Sequence, residues 1–300
     1  MTGPTATPKR SRITRRKLVP YLFVLPNMVI FGLFTLWPAV NGFNISFYDS
    51  GNGRTFRAVG TDNYNRILGS DEFWAVARQT IVFVVGFVVA STVLATVLAL
   101  LLNGQKRGRG ALSAAYFLPV VVSPVVVGLI WNAALQRQTG LVNSVVSALG
   151  FGQPAWLIDP TLALVSVILV GVWVHVGFYT MIMLSGLQSI DTSIDEAATI
   201  DGAGAWQKIR LITLPLLRPT TMVVVTLATI AGFQAFDFIF TLTGGGPVGA
   251  TTLIIQYIYE NGFTPPIAYG LASAAAVILF LVIFAVTFLN YLVGRRTEAM

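Results

Sequence analysis

The chain alternates long uncharged apolar runs with short polar connections, and the runs set the expected elements. A helix that crosses a bilayer takes roughly 20 mostly apolar residues. Six runs reach that length: 18–40, 81–102, 111–135, 161–187, 219–242 and 268–293. Each predicts one transmembrane helix. Barrel strands are excluded, because they would read as segments of about 10 residues with alternating polarity. Two further apolar stretches fall short of a span. Residues 139–152 hold Asn143, Ser144 and Ser147, which suits an interfacial segment. Residues 250–259 are too few to cross and predict an outer loop or re-entrant piece.

Composition agrees with a polytopic all-α membrane protein. The chain is 55% hydrophobic and 10% charged, with a mean hydropathy of +0.76; ordinary globular chains carry about 25% charged residues. With no cysteine and one histidine, neither a disulfide framework nor a metal site is expected. No G-x-x-x-x-G-K-[ST] phosphate loop occurs, so the chain is not expected to hydrolyse ATP, and no catalytic motif suggests an enzyme.

The net charge of +7 becomes informative once it is placed. With the N-terminus inside, the inner connections collect fourteen basic residues: Lys9, Arg10, Arg12, Arg15, Arg16, Lys17, Lys106, Arg107, Arg109, Lys208, Arg210, Arg218, Arg295 and Arg296. The outer ones hold five, Arg54, Arg57, Arg66, Arg78 and Arg137. Positive charge stays inside, which predicts both termini in the cytoplasm. The chain then divides into a basic tail (1–17), a membrane domain (18–293) and a short C-terminal tail (294–300). The basic tail reads as a lipid-facing anchor, not a nucleic-acid arm, and no cleavable signal peptide is expected.

One connection is long and polar. Residues 188–218 predict two short helices on the inner surface: a capping box of Ser193 and Glu196 opening the first, Gly202 and Gly204 stopping it, and Pro215 ending or kinking the second. Trp206, Ile209 and Ile212 share one face of the second helix. The first half is acidic (Asp191, Asp195, Glu196, Asp201). The inner leaflet is itself negative, so this surface suits a protein partner better than lipid.

The same loop carries a family pattern. Glu196-Ala197-Ala198, Gly202, Ile212 and Leu214-Pro215 stand at the spacings of the E-A-A loop found in inner-membrane subunits of bacterial ABC importers. The stretches LPNMVIFGLFTLWPAV, FDFIFTLTGGGP (236–247) and IYENGF (258–263), with Trp173-x-x-x-Gly177, resemble the maltose-type carbohydrate uptake permeases. The resemblance implies a bacterial inner-membrane permease for a di- or oligosaccharide or a related polyol. It also implies docking of the loop, through Glu196, Ala197, Ala198, Asp201, Gly202, Ile212, Leu214 and Pro215, onto a separate ATPase subunit. Two such ATPases would bind the ATP and Mg, with no cofactor on this chain. A second, different permease and an extracellular solute-binding protein complete the implied assembly, and nucleic acid has no part in it. The maltose transporter's own subunit has extra N-terminal spans and a large outer domain that this sequence lacks, which implies the shorter six-span form. Glycerol-phosphate import is the alternative within the family. An ion-coupled carrier is disfavoured by the lone intramembrane acid, Asp237.

Polar residues within spans mark candidates for a transport path: Trp173, His175 and Tyr179 in the fourth run, Gln234 and Asp237 in the fifth. For His175, a structural hydrogen bond to a carbonyl competes with ligand contact and is favoured. Trp173 and Tyr179 serve equally as helix packing. Asp237 reads as hydrated or paired, and Gln234 as the better cavity-lining residue. Small residues Ala228, Ala231, Gly232 and Ala235 predict close helix packing, as do Ala272 and Ala276.

Overall fold

The computed structural model describes residues 15–50, 52–104 and 109–298. Most of the basic tail, Lys106, Arg107 and residues 299–300 lie outside them. The described residues are 76% helical. It begins with α1 (Arg15–Phe31), a π turn (Gly32–Leu36) and α2 (Trp37–Ile45), followed by a small antiparallel hairpin of β1 (Tyr48–Asp49) and β2 (Arg57–Ala58). Then come α3 (Asp62–Leu68), α4 (Asp71–Asn103), α5 (Arg109–Val121), α6 (Pro124–Ala134), α7 (Leu141–Ala148) and α8 (Pro160–Gln188). The second half holds α9 (Thr192–Ile200), α10 (Ala205–Lys208), a second π turn (Ile209–Thr213), α11 (Leu214–Leu216), α12 (Arg218–Phe233), α13 (Asp237–Leu242), α14 (Ile254–Phe263) and α15 (Tyr269–Glu298).

Among the described residues, four helices are long and apolar enough to cross a membrane: Pro20–Ile45, Asp71–Asn103, Pro160–Gln188 and Tyr269–Gly294. Two bent pairs raise the number to six if each counts as one span. Two of the six expected runs are not single continuous helices. The run 111–135 bends by 105° between α5 and α6. Pro124 opens α6, and the residue before a proline is pushed out of the α region; Ser123 is accordingly extended, with ψ 130. The run 219–242 is also not one helix. It stops at Phe233 and restarts at Asp237, with Phe236 at φ −149, ψ −60 between them.

The two π turns share a cause. A proline ring collides with the carbonyl four residues back, and for Pro38 and Pro215 those carbonyls belong to Phe34 and Leu211. Each lies inside a π turn, where the wider helix relieves the collision without a full break.

α8 is the centre of the bundle: half of its most apolar window is buried, against none for the first span. Helices in lipid associate by close packing, which small residues permit. A Cβ at Gly171 would sit 3.3 Å from Phe238 and 3.4 Å from Phe87, and one at Gly177 would collide with the Tyr116 carbonyl of α5. Gly232 of α12 faces Phe87 and Val84 of α4, both 3.3 Å from its ideal Cβ. The small-residue stripe on α12 is therefore used, at Gly232, by this chain's own α4. At the hairpin end, buried Asn63 donates to the carbonyls of Ser46 and Tyr48, both at 2.9 Å, and joins α3 to the end of α2.

Candidate functional site

The polar connection folds into an elbow. Its first helix is capped by Asp191, not by the expected Ser193–Glu196 box: the Asp191 carboxylate accepts from the Ser193 N–H at 2.9 Å. That hydrogen bond holds the Asp191 carboxyl below the usual carboxylate range. An Asp two positions ahead of Ser193 offers a charged acceptor to the helix's free N–H groups, and the helix starts at Thr192 for that reason.

The expected stop at Gly202 is present. Gly202 has φ +79, its N–H bonds the Thr199 carbonyl at 3.1 Å, and the Ala203 N–H bonds the Ala198 carbonyl at 2.9 Å. This left-handed closure satisfies the last carbonyls of the helix. After it, the Gly204 N–H donates to Gln207 Oε1 at 2.9 Å and starts the second helix. The chain then passes Pro215 and buried Leu217 and bends by 65° into α12.

Two short helices joined through glycines would flex freely without a brace. Lys208 supplies one: its Nζ lies 3.1 Å from Asp195 Oδ2 and 2.6 Å from Thr199 Oγ1. The Lys208 side chain is only 19% exposed, while Asp195 is 67% exposed. Thr199 in turn donates to the Asp195 carbonyl at 2.7 Å. Sequence reasoning missed this brace, because a thirteen-residue separation across a turn has no periodic signature. On the elbow's outer surface Glu196, Ala197, Asp201 and Gly202 are exposed and Ala198 is buried. Ile212 and Pro215 are half-buried, and Leu214 is 39% exposed. Trp206 and Ile200, at 70% and 86% exposed, leave an apolar rim beside the acidic groups.

The candidates within the bundle separate into three places. His175 Nδ1 lies 2.9 Å from the Gly171 carbonyl of its own helix. Its ring meets Phe87 edge-on at 5.3 Å and stacks on Tyr179 at 6.1 Å, with Tyr179 buried. Trp173 stands on another face of α8, half exposed, with its ring edge on Trp131 at 5.5 Å. Gln234 and Asp237 flank the break between α12 and α13, and both are exposed. They do not share a continuous helix face, since Gln234 caps one helix and Asp237 begins the next. No group of three or more metal-ligating side chains occurs among the described residues.

Residues 91–299 match the family described as binding-protein-dependent transport system inner membrane component. The chain belongs to that family. Such a permease is a transport component of the inner membrane and not an enzyme. The permease is 34% identical over 287 residues to the trehalose/maltose transport system permease protein MalF of Thermococcus litoralis, covering 94% of this chain and 95% of that one. It is 32% identical over 299 residues to the lactose transport system permease protein LacF of Rhizobium radiobacter, covering 98% and 100%. In fold the permease resembles a chain of a bacterial ABC transporter involved in the import of the acidic polysaccharide alginate. The TM-score is 0.82 at 26% identity, over 94% of this chain and 96% of that one.

Proposed function

We propose that this permease forms part of the translocation path of an ATP-driven carbohydrate importer and couples that path to separate ATPase subunits. The relatives named for trehalose, maltose and lactose support the substrate class. In this reading α5 with α6 is one span and α12 with α13 another, giving six with the four long helices, and both termini lie in the cytoplasm, as the basic residues favour. Two cytosolic ATPases bind the ATP and Mg, an extracellular solute-binding protein delivers the sugar, and a second, different permease closes the path.

The observation that carries the coupling role is the elbow itself. It presents Glu196, Ala197, Asp201 and Gly202 outward, and it runs without an unstructured linker into α12. A partner that pushes on α9 moves α12, because the Lys208 brace and the closure at Gly202 resist bending between the short helices. Ile212, Leu214 and Pro215 occupy the stiff second arm of this lever and Ala198 its inner side. Sugar passage is assigned to the cavity side of the bundle, with Gln234 and Asp237 at its broken helix, Trp173 on its exposed face, and His175 and Tyr179 as packing behind it.

The test is uptake by the whole transporter in proteoliposomes. A Glu196→Lys variant reverses charge at the exposed docking face and should insert and assemble its membrane part yet lose ATP-driven sugar uptake. Undiminished uptake by that variant would remove the docking assignment. Uptake that stops on collapse of a proton gradient, with ATP present, would remove the ATP-driven reading altogether.

A further inference from the structure

Four aromatic rings from two separate elements form a continuous strip on the exposed side of the α12–α13 break. Phe236 contacts Phe240 at 5.3 Å and Tyr259 at 5.2 Å between ring centroids; Phe240 contacts Tyr259 at 5.6 Å, and Tyr259 stacks on Phe263 at 5.5 Å. The strip is not core: Phe240 is 41% exposed, Tyr259 37% and Phe263 69%. Gln234 and Asp237, both exposed, lie at its α12–α13 end.

The position of the break decides what this strip faces. α12 runs 16 residues from Arg218, a rise of about 24 Å, inside a hydrocarbon layer of about 30 Å. Irregular backbone at that depth is tolerated only where it is buried in protein or lines a water-filled cavity. A carboxylate there likewise turns away from lipid. The buried side of α13 is already taken: Asn132 of α6 donates to the Leu242 carbonyl at 2.7 Å, and Phe238, Ile239 and Leu242 are buried. The opposite side, with Asp237 and Phe240, is left uncovered by this chain, and a carboxylate there needs a water-filled path or another protein chain, not lipid. Flat apolar rings beside an amide and a carboxylate complement a pyranose, which has apolar C–H faces and a rim of hydroxyls. Ligand sites of this kind combine aromatic surface with a few placed polar groups.

We infer that Phe236, Phe240, Tyr259 and Phe263 form a stacking lane for the pyranose rings of the transported carbohydrate, ending at Gln234 and Asp237. The inference rests on the carbohydrate reading of the preceding section and adds the surface on which the sugar moves.

The natural chain has no cysteine, so each introduced cysteine is the single thiol of this permease, and the transporter carrying the cysteine-free permease sets the background. Phe240→Cys, Phe263→Cys and a control on α15, Phe280→Cys (Phe280 is 65% exposed), are prepared in the complete transporter in proteoliposomes. A charged, membrane-impermeant methanethiosulfonate is added from outside. Trehalose, maltose and lactose serve as probe sugars. The lane predicts fast modification at positions 240 and 263, none at 280, and slower modification when a transported sugar is turning over. In uptake, Phe240→Leu and Tyr259→Leu should each lower kcat/KM about two- to tenfold, the range of one aromatic stacking contribution. Phe240→Tyr and Tyr259→Phe, which keep the ring, should remain near wild type. Modification at 240 and 263 as slow as at 280 would assign the strip to lipid or a partner helix and overturn the lane. Fast modification without sugar protection, together with wild-type uptake by the leucine variants, would overturn it as well. Failure of wild type to carry any sugar would instead defeat the carbohydrate reading on which the lane rests.

Discussion

Replacing Lys208 by Met keeps the length of the apolar stem and removes the charge that braces the elbow. The lost contacts are the 3.1 Å pair with Asp195 and the 2.6 Å hydrogen bond to Thr199. The pair is partly exposed, so it is worth about 0.2–1 kcal/mol, and the hydrogen bond adds about 0.5–1.5 kcal/mol. Their combined loss, about 1–2 kcal/mol, raises the population of a flexed elbow roughly five- to thirty-fold. Spin labels at Ile200→Cys and Leu211→Cys, both exposed positions, measure it by pulsed electron resonance in the complete transporter. The distance distribution should broaden in the Lys208→Met variant, and the ATP hydrolysed per sugar carried should rise. Exchanging the charges, with Asp195→Lys and Lys208→Asp together, should narrow the distribution again. High salt should broaden the wild-type distribution slightly, because the pair is open to screening. An unchanged distribution and an unchanged ATP-to-sugar ratio in Lys208→Met would refute the claim that this side chain stiffens the lever.

At Gly177, a valine would drive its Cβ into α5 backbone, 2.6 Å from the Tyr116 carbonyl carbon and 3.1 Å from Phe117 Cα. Carbon contacts relax near 3.5–4.0 Å, so α5 must retreat by about 1 Å, at a cost of about 1–3 kcal/mol, read as a lower Tm in detergent. Gly202→Ala meets no neighbouring atom, yet its φ of +79 costs about 1–2 kcal/mol in backbone strain alone; the loss should appear as weaker hydrogen-exchange protection in α9 and not in α8. Asp191, whose carboxyl is held low by the Ser193 N–H, contributes its capping as an anion. That contribution is present above the ordinary value of 3.8 and is lost as pH falls through the lowered one. Protection factors of the first-turn amides of α9 should therefore fall with acid in wild type and stay flat in Asp191→Ala.

Membrane insertion and the family loop are local properties, and the sequence carries them. Runs such as 81–102 and 161–187 lie within α4 and α8 because hydrophobic length alone demands a helix there. The Glu196–Pro215 pattern and the positive φ at Gly202 follow from neighbours along the chain. Even the α5–α6 bend had a legible sign in Ser123-Pro124. Apolar composition, however, cannot tell a straight helix from a broken one. The restart at Asp237 depends on α6 taking up Leu242's carbonyl and on Phe238 packing against Gly171. The Lys208 brace and the ring strip need a fold to bring together residues 195 with 208 and 236 with 259. The tertiary structure decided those pairings because a side chain recognises a distant partner only after the backbones between them have packed.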